Sequence, residues 1–453
     1  MDNQLGHGLR TRHVTMITVG GIIGAGLFVG SSRAISSIGP ACILSYALSG
    51  LVILFMMRML SELASAFPGT GSFTEFARLG LGEWAGFTAG WLYWYFWVIV
   101  VPIEALGGAG IVHGWYPALP IWEIGIVLMT VMTCVNLLSA RSFGEFEFWF
   151  SSIKVAAILV FILIAAAYAF GLTSPAGQTF GNLVRHGGFA PHGSLAILGG
   201  VASVIFSFVG AEIVTIAAAE SNAGPAAIAR LTSSVALRIL LFFVVSITLI
   251  VAVVPWDQIK PGISPFAVAL ARIGIPWADR IMNVVVLTAV LSCLNSGIYV
   301  TSRVLFQLAA KGDAPQWLVT VNRRQVPARA ILAGAVFGYV ALACSVVSPG
   351  VVFGFLVDAS GAIALVNYLL VALAEIRLRQ QLEATEPARL TIRMWFYPYG
   401  SWGTVAVMIA VLIAMAALPD QKSEFFSSLA VVLAVLAMFV LFRKGKVRKY
   451  VLF

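Results

Sequence analysis

The stretch Gly20–Phe28, reading GGIIGAGLF, lies inside the apolar run from about Val14 to Ile35, and its reading decides the fold. Four of these nine residues are glycine. Each costs a helix roughly 1 kcal/mol against alanine, so a segment of membrane-spanning length that carries them is expected to break partway across. A break exposes main-chain N–H and C=O groups. In hydrocarbon such groups cost several kcal/mol each unless protein or a polar ligand satisfies them. The alternative is that the glycines let two continuous helices pack closely, as small residues do at membrane helix interfaces.

The rest of the chain places this segment in a bilayer. Of 453 residues, 60% are hydrophobic and 10% charged, against roughly 25% charged in soluble domains. Apolar stretches of about 20 residues start near Val14, Ala41, Ala85, Ile121, Phe148, Ser194, Thr232, Arg280, Ala328, Val351, Tyr399 and Phe425, giving about twelve spans. The formal net charge of +9 does not mark a nucleic-acid surface, because the basic residues fall in short loops that alternate with nearly uncharged ones. Arg10, Arg12, Arg78, Arg141, Arg230, Lys311, Arg323 and the tail from Arg443 to Lys449 share one side, and Arg33, Arg185, Lys260, Arg272 and Lys422 lie on the other. That bias predicts a multi-pass protein of the cell membrane with both termini in the cytoplasm. The N-terminus lacks the features of a cleaved signal peptide. Cys42, Cys134, Cys293 and Cys344 lie in apolar runs without the spacing of a disulfide framework or a zinc site. The loops near 171–193, 255–279 and 375–398 are too short to bury cores of their own.

A second interruption is expected in the sixth span, where Phe206-Ser207-Phe208-Val209-Gly210-Ala211-Glu212 places a glycine near mid-membrane, about five spans after the first. Gly-interrupted spans at corresponding places of two halves point to an inverted-repeat carrier with its site at the midplane. Half-helix N–H groups suit a carboxylate and unwound carbonyls suit an ammonium, so the expected ligand is a zwitterion.

Ionisable residues within spans are costly and tend to mark function. Glu104, beside Pro102 in the third span, is read as a carboxylate near the substrate amine or on a proton route, the alternative being a buried, hydrogen-bonded structural group. Lys154, after the loop RSFGEFEFWF, either snorkels to the cytoplasmic headgroups or occupies the place of a coupling ion and exchanges a proton. Glu212 is expected first to support the broken backbone, and otherwise to take a proton during the cycle. Arg58 and Glu62, four residues apart, read as a local pair with a gate as the minor alternative, and Arg303 as a snorkelling side chain. The crowded Trp91, Tyr93, Trp94, Tyr95 and Trp97 read as packing, with a few rings shaping a pocket. No phosphate-binding loop, HExxH or ligand-spaced histidine cluster is present, so no cofactor or metal is expected, and transport runs on an ion gradient or by exchange.

Nearly the whole sequence resembles amino acid permeases of the amino acid–polyamine–organocation superfamily. The resemblance is carried by GLRTRHVTMITVGGIIGAGLFVGSS (8–32), MRMLSELASAFPGTGSFTEFA (57–77), GEFEFWFSSIKV (144–155), FSFVGAEIVTIAAAES (206–221) and SCLNSGIYVTSRVLFQLAAKGDAP (292–315). GWLYWYFWVIVVPIEA (90–105), AEIVTIAAAES (211–221) and DASGAIAL (358–365) are most similar to 4-aminobutyrate permeases. The resemblance implies two inverted five-helix repeats, about 14–171 and 194–374, followed by two further helices at about 399–442, and proton-coupled uptake. It implies that Ile22, Ile23, Gly24, Ala25 and Gly26 offer backbone to the carboxylate. Phe206, Ser207 and Val209 would line the amine side beside the Gly210 break, with Phe206 as an aromatic gate. It also implies that Glu104 faces the pocket, that Lys154 replaces a sodium ion, and that Cys293 and Asn295 lie nearby on the eighth helix. The implied partners are an amino acid, protons and the lipid bilayer. A broader neutral amino acid permease or an exchanger is the alternative within the class. A membrane nutrient sensor or a membrane-embedded enzyme lies outside it.

Overall fold

The computed structural model describes residues 11–24, 26–68, 70, 72–173, 179–218, 225–347, 360 and 362–450. The described elements are helices: α1 (Thr11–Ile22), α2 (Ser31–Ile38), α3 (Cys42–Ala66), α4 (Thr74–Leu81), α5 (Glu83–Trp115), α6 (Ile121–Leu138), α7 (Ala140–Ala169), α8 (Asn182–Arg185), α9 (Ser194–Ile205), α10 (Ile213–Ala218), α11 (Pro225–Val253), α12 (Pro265–Ile273), α13 (Ala278–Ala310), α14 (Ala328–Cys344), α15 (Ile363–Thr385), α16 (Tyr399–Ala417) and α17 (Lys422–Tyr450). Eight described helical stretches are long and apolar enough to cross a membrane on their own. The described residues add the interrupted paths α1–α2 and α9–α10, the shorter α14, and α15 to these.

Helices at corresponding places of the two halves touch in the first four passes. The most extensive contact between separate helices joins α3 to α11, the second pass of each half, and the next joins α5 to α13, the third of each. The fourth passes, α6 and α14, pack together as well, and α1 of the first broken path meets α10 of the second. These four pairs of corresponding helices therefore face one another across the middle of the molecule. α16 lies against α3, α9 and α15, and α17 against α5 and α16, outside this arrangement.

Several boundaries differ from the sequence reading. α7 starts at Ala140 rather than near Phe148, so the GEFEFWF stretch is helix and not loop. Ser139, extended, accepts a hydrogen bond from Ser142 N and caps that helix, which lets it begin early. α15 runs on to Thr385, so the loop expected from about 375 starts some ten residues later, and Glu375 is buried in the helix with Ser401 donating to it. The beginning of the tenth span, from Val351, lies outside the described residues. Pro102 does not interrupt α5, which passes through it for 33 residues.

On the face where α1 starts, polar groups tie the passes together. Arg78 on α4 pairs with Glu75 at 3.3 Å, with Glu83 and with Asp313 beyond the end of α13. Glu62 pairs with Arg379 of α15 and accepts from Met394 N. This corrects the expected Arg58–Glu62 pair: Arg58 instead donates to Arg393 O at 2.8 Å and stacks on Trp395. A tertiary partner on another helix takes the carboxylate that helical spacing offered to Arg58. Arg303 does not snorkel either. It is 1% exposed, with its guanidinium 4.0 Å from the centre of the Tyr299 ring and hydrogen bonded to Ser302.

Close backbone approach sets one further constraint. A methyl group on Gly80 would stand 2.7 Å from Ala374 Cα and 2.8 Å from Ala374 O, so α4 and α15 meet main chain to main chain. Gly80→Ala is expected to cost about 1–3 kcal/mol by overpacking. Gly403→Ala, where nothing lies within 4 Å, is expected to be neutral or stabilising. Thermal denaturation of both variants in detergent checks the contrast.

Candidate functional site

The first break follows directly from the glycines. α1 stops at Ile22, Gly24 N donates back only to Ile22 O at 3.1 Å, and the chain resumes as a single wide turn over Gly26–Gly30 before α2. Termination frees the carbonyls of the last turn. Ile23 O is taken by Lys154 Nζ of α7 at 2.7 Å. The lysine side chain is fully buried, so it does not extend to the headgroups. A cation at the carbonyl end of a half-helix is favoured by the helix dipole.

The second break mirrors this with opposite charge. After α9, a tight turn over Phe206–Phe208 leads to Gly210 at φ +116°, a backbone conformation that favours glycine, and α10 then starts at Ile213. Gly210 N donates to Glu212 Oε1 at 3.2 Å and Oε2 at 3.1 Å. Tyr93 of α5 donates to Oε1 at 2.9 Å and Tyr368 of α15 to Oε2 at 2.7 Å. Glu212 is fully buried, and these donors supply what water would otherwise give a carboxylate.

The two breaks touch. A methyl group on Gly210 would lie 2.5 Å from Gly21 O, and one on Gly26 would lie 2.9 Å from Ser207 Oγ. Beside this crossing is a crevice of about 20 Å³ lined in part by Gly24, Trp97, Glu104, Ser207, Val209 and Cys293. A methyl group on Gly24 would stand 3.2 Å from both Glu104 Oε1 and Cys293 Sγ, which puts the carboxylate of α5 against the unwound backbone. Gly26, Glu104 and Ser207 also line a cavity of about 1410 Å³. That cavity reaches Arg33, Arg280 and Glu424 on the face opposite the start of α1. It is large enough for an amino acid, whereas the crevice holds about one water-sized group.

The structure thus brings together Ile22, Gly24, Gly26, Glu104, Ser207, Val209 and Cys293 at one crevice. Lys154 meets Ile23 behind it and Gly210 lies at the crossing. Ala25 and the Phe206 side chain lie outside the described residues. Asn295 is turned elsewhere: its Oδ1 accepts from Asn136 at 2.9 Å and its Nδ2 donates to Glu147 at 3.3 Å. Three polar neighbours of the site were missed. Tyr93 was counted among packing aromatics and Tyr368 was not singled out, yet both hydroxyls serve Glu212. Glu147 was assigned to a loop. Its signal was its place seven residues before Lys154, which is the same helix face once the helix reaches back to Ala140.

Two interrupted membrane helices with capped main-chain groups, meeting at the foot of a large cavity open to one face, define a membrane carrier of small polar molecules. The chain belongs to the amino acid permease family, whose profile matches residues 13–450. It is 46% identical over 442 residues to the gamma-aminobutyric acid permease of Bacillus subtilis (strain 168), covering 97% of this chain and 94% of the relative. It is 44% identical over 431 residues to the gamma-aminobutyric acid permease of Escherichia coli (strain K12), covering 94% and 92%. The aromatic amino acid transport protein AroP of Corynebacterium glutamicum is 36% identical over 430 residues, covering 93% and 92%.

Replacing Tyr368 by Phe removes one of the hydroxyl donors to Glu212 and is expected to lower stability by about 1.5–3 kcal/mol, the range for hydrogen bonds to charged groups. The melting temperature of the purified variant in detergent checks this.

Proposed function

We propose that this chain is a proton-coupled symporter that imports 4-aminobutyrate, or a related small zwitterionic amino acid, across the cytoplasmic membrane by alternating access, with both termini in the cytoplasm. The observation that carries the reading is Glu104 held against the unwound backbone at Gly24, at the foot of a cavity wide enough for an amino acid. The substrate carboxylate lies on the main chain of Ile22–Gly26, and its amine is directed to Glu104, with Ser207 and Val209 completing the wall. A carboxylate donated by a side chain suits a substrate whose amine is separated from its own carboxylate by several bonds. The permease names of the relatives at 44% and 46% identity support the same substrate.

Lys154 takes the role of the coupling cation on Ile23 O, Glu104 links substrate to proton, and Glu212 holds the second half-helix. The repeats run over about 14–171 and 194–374, with 399–442 as an addition. Movement of the bundle that contains the two broken helices against its surroundings exposes the crevice to each face in turn. The chain acts as a carrier and not as an enzyme.

Purified protein in liposomes with an imposed inward proton gradient is expected to concentrate radiolabelled 4-aminobutyrate above its external level, and a protonophore to abolish this. Uptake that only equilibrates contradicts symport. Counterflow with unlabelled competitors tests the substrate: effective competition by aromatic or other neutral amino acids replaces this reading with a broader carrier or an exchanger. Glu104→Gln is expected to raise the apparent KM about tenfold or more, the scale of one charged hydrogen bond, and to flatten the pH dependence. Unchanged uptake with an unchanged pH profile removes Glu104 from its role.

A further inference from the structure

Glu147 of α7 has no part in the mechanism above, yet it is fully buried within a membrane-spanning helix. A carboxylate there is costly unless it is paired and hydrogen bonded. Its Oε1 accepts from Ser292 of α13, and its Oε2 accepts from Asn295 of α13 at 3.3 Å. Asn295 is in turn fixed by Asn136 of α6. Lys154 lies two helical turns along the same face of α7.

The informative group is Ser151, one turn from Glu147. Its single hydroxyl proton has two acceptors: Glu147 Oε1 at 3.1 Å and Met16 O of α1 at 2.8 Å. A hydroxyl donates to one at a time. An ionised carboxylate is the stronger acceptor, whereas a protonated one leaves the hydroxyl to Met16. Met16 belongs to the same half-helix, about two turns before Ile23, whose carbonyl Lys154 holds.

We propose that Glu147 is a positioning residue of the transport cycle: while ionised it holds the Lys154 ammonium on the Ile23 carbonyl. It carries a change in that charge to α1 through Ser151 and to α13 through Ser292 and Asn295. The inference rests on the proton-coupled reading above. The titratable groups around Glu147 are few. Lys154 shares its helix and Cys293 faces it from α13, while Glu104 of α5 interacts with both of these. On α1, His13 is engaged with Glu145 at 3.1 Å. Arg238 of α11 and Arg272 of α12 are exposed and turned away, and α6 contributes the neutral Asn136.

The test compares wild type, Glu147→Gln, Glu147→Asp and Ser151→Ala in liposomes, each measured for 4-aminobutyrate counterflow at equal pH and for accumulation under a proton gradient across a pH series. Glu147→Gln is expected to keep exchange while gradient-driven accumulation falls about tenfold or more, the scale of one charged hydrogen bond. Glu147→Asp is expected to restore accumulation, and Ser151→Ala to exchange substrate with a displaced pH profile. A Glu147→Gln variant that accumulates like wild type with the same pH profile overturns the inference. If that variant does not fold, Ser151→Ala decides: an undisplaced profile overturns the inference and a displaced one supports it. Wild-type protein that fails to accumulate overturns the proton-coupled reading itself and this inference with it, whereas wild-type accumulation beside an indifferent Glu147→Gln overturns this inference alone.

Discussion

A helix that stops inside a bilayer leaves main-chain groups with no water to bond, and the rest of this structure is arranged around meeting that demand. Each break is served by one fully buried ionisable side chain of the favourable sign. Lys154 covers the carbonyl at the end of α1, and Glu212 takes the N–H of Gly210 ahead of α10. These charges need satisfaction of their own. The hydroxyls of Tyr93 and Tyr368 supply it for Glu212. The site is thus a chain of obligations that starts in the backbone and ends in residues several helices away.

The glycines serve two purposes that pull in the same direction. They end the helices, and they allow the ends to approach to main-chain distance, as Gly21 meets Gly210 and Gly26 meets Ser207. A crevice walled by backbone presents fixed dipoles to a polar ligand, while Glu104, reaching in from α5, adds a charge that backbone cannot provide. The large cavity then reaches this crevice from one face, and on the other face Arg78 ties α4 to the end of α13 and Arg379 ties α15 to α3 through buried or half-buried carboxylates.

The fold was legible because its signals are local. Twelve apolar runs and two mid-span glycine clusters are each readable within about twenty residues, and the breaks fall where Gly20–Phe28 and Phe206–Glu212 placed them. What failed was tertiary. Helical spacing offered Glu62 to Arg58, but Arg379, more than 300 residues away, takes it. Arg303 looked like a side chain bound for the headgroups because its length allows that, and a ring one turn away on its own helix holds it inside instead. Glu147 escaped notice because the start of α7 was placed near Phe148, eight residues late, and a carboxylate assigned to a loop raises no question of cost. Tyr93 was hidden by its neighbours: in a run of Trp and Tyr, the one hydroxyl with a specific partner reads as packing.

The most direct measurement is an experimental structure determined with 4-aminobutyrate bound. The account predicts ligand density at the foot of the large cavity, against the crevice between Gly24 and Val209, with its carboxylate on the main chain of the first break, its amine at Glu104, and Lys154 still on Ile23 O. Density confined to the mouth of the large cavity near Arg33 and Arg280, with the first and sixth helices running unbroken past one another, would contradict it.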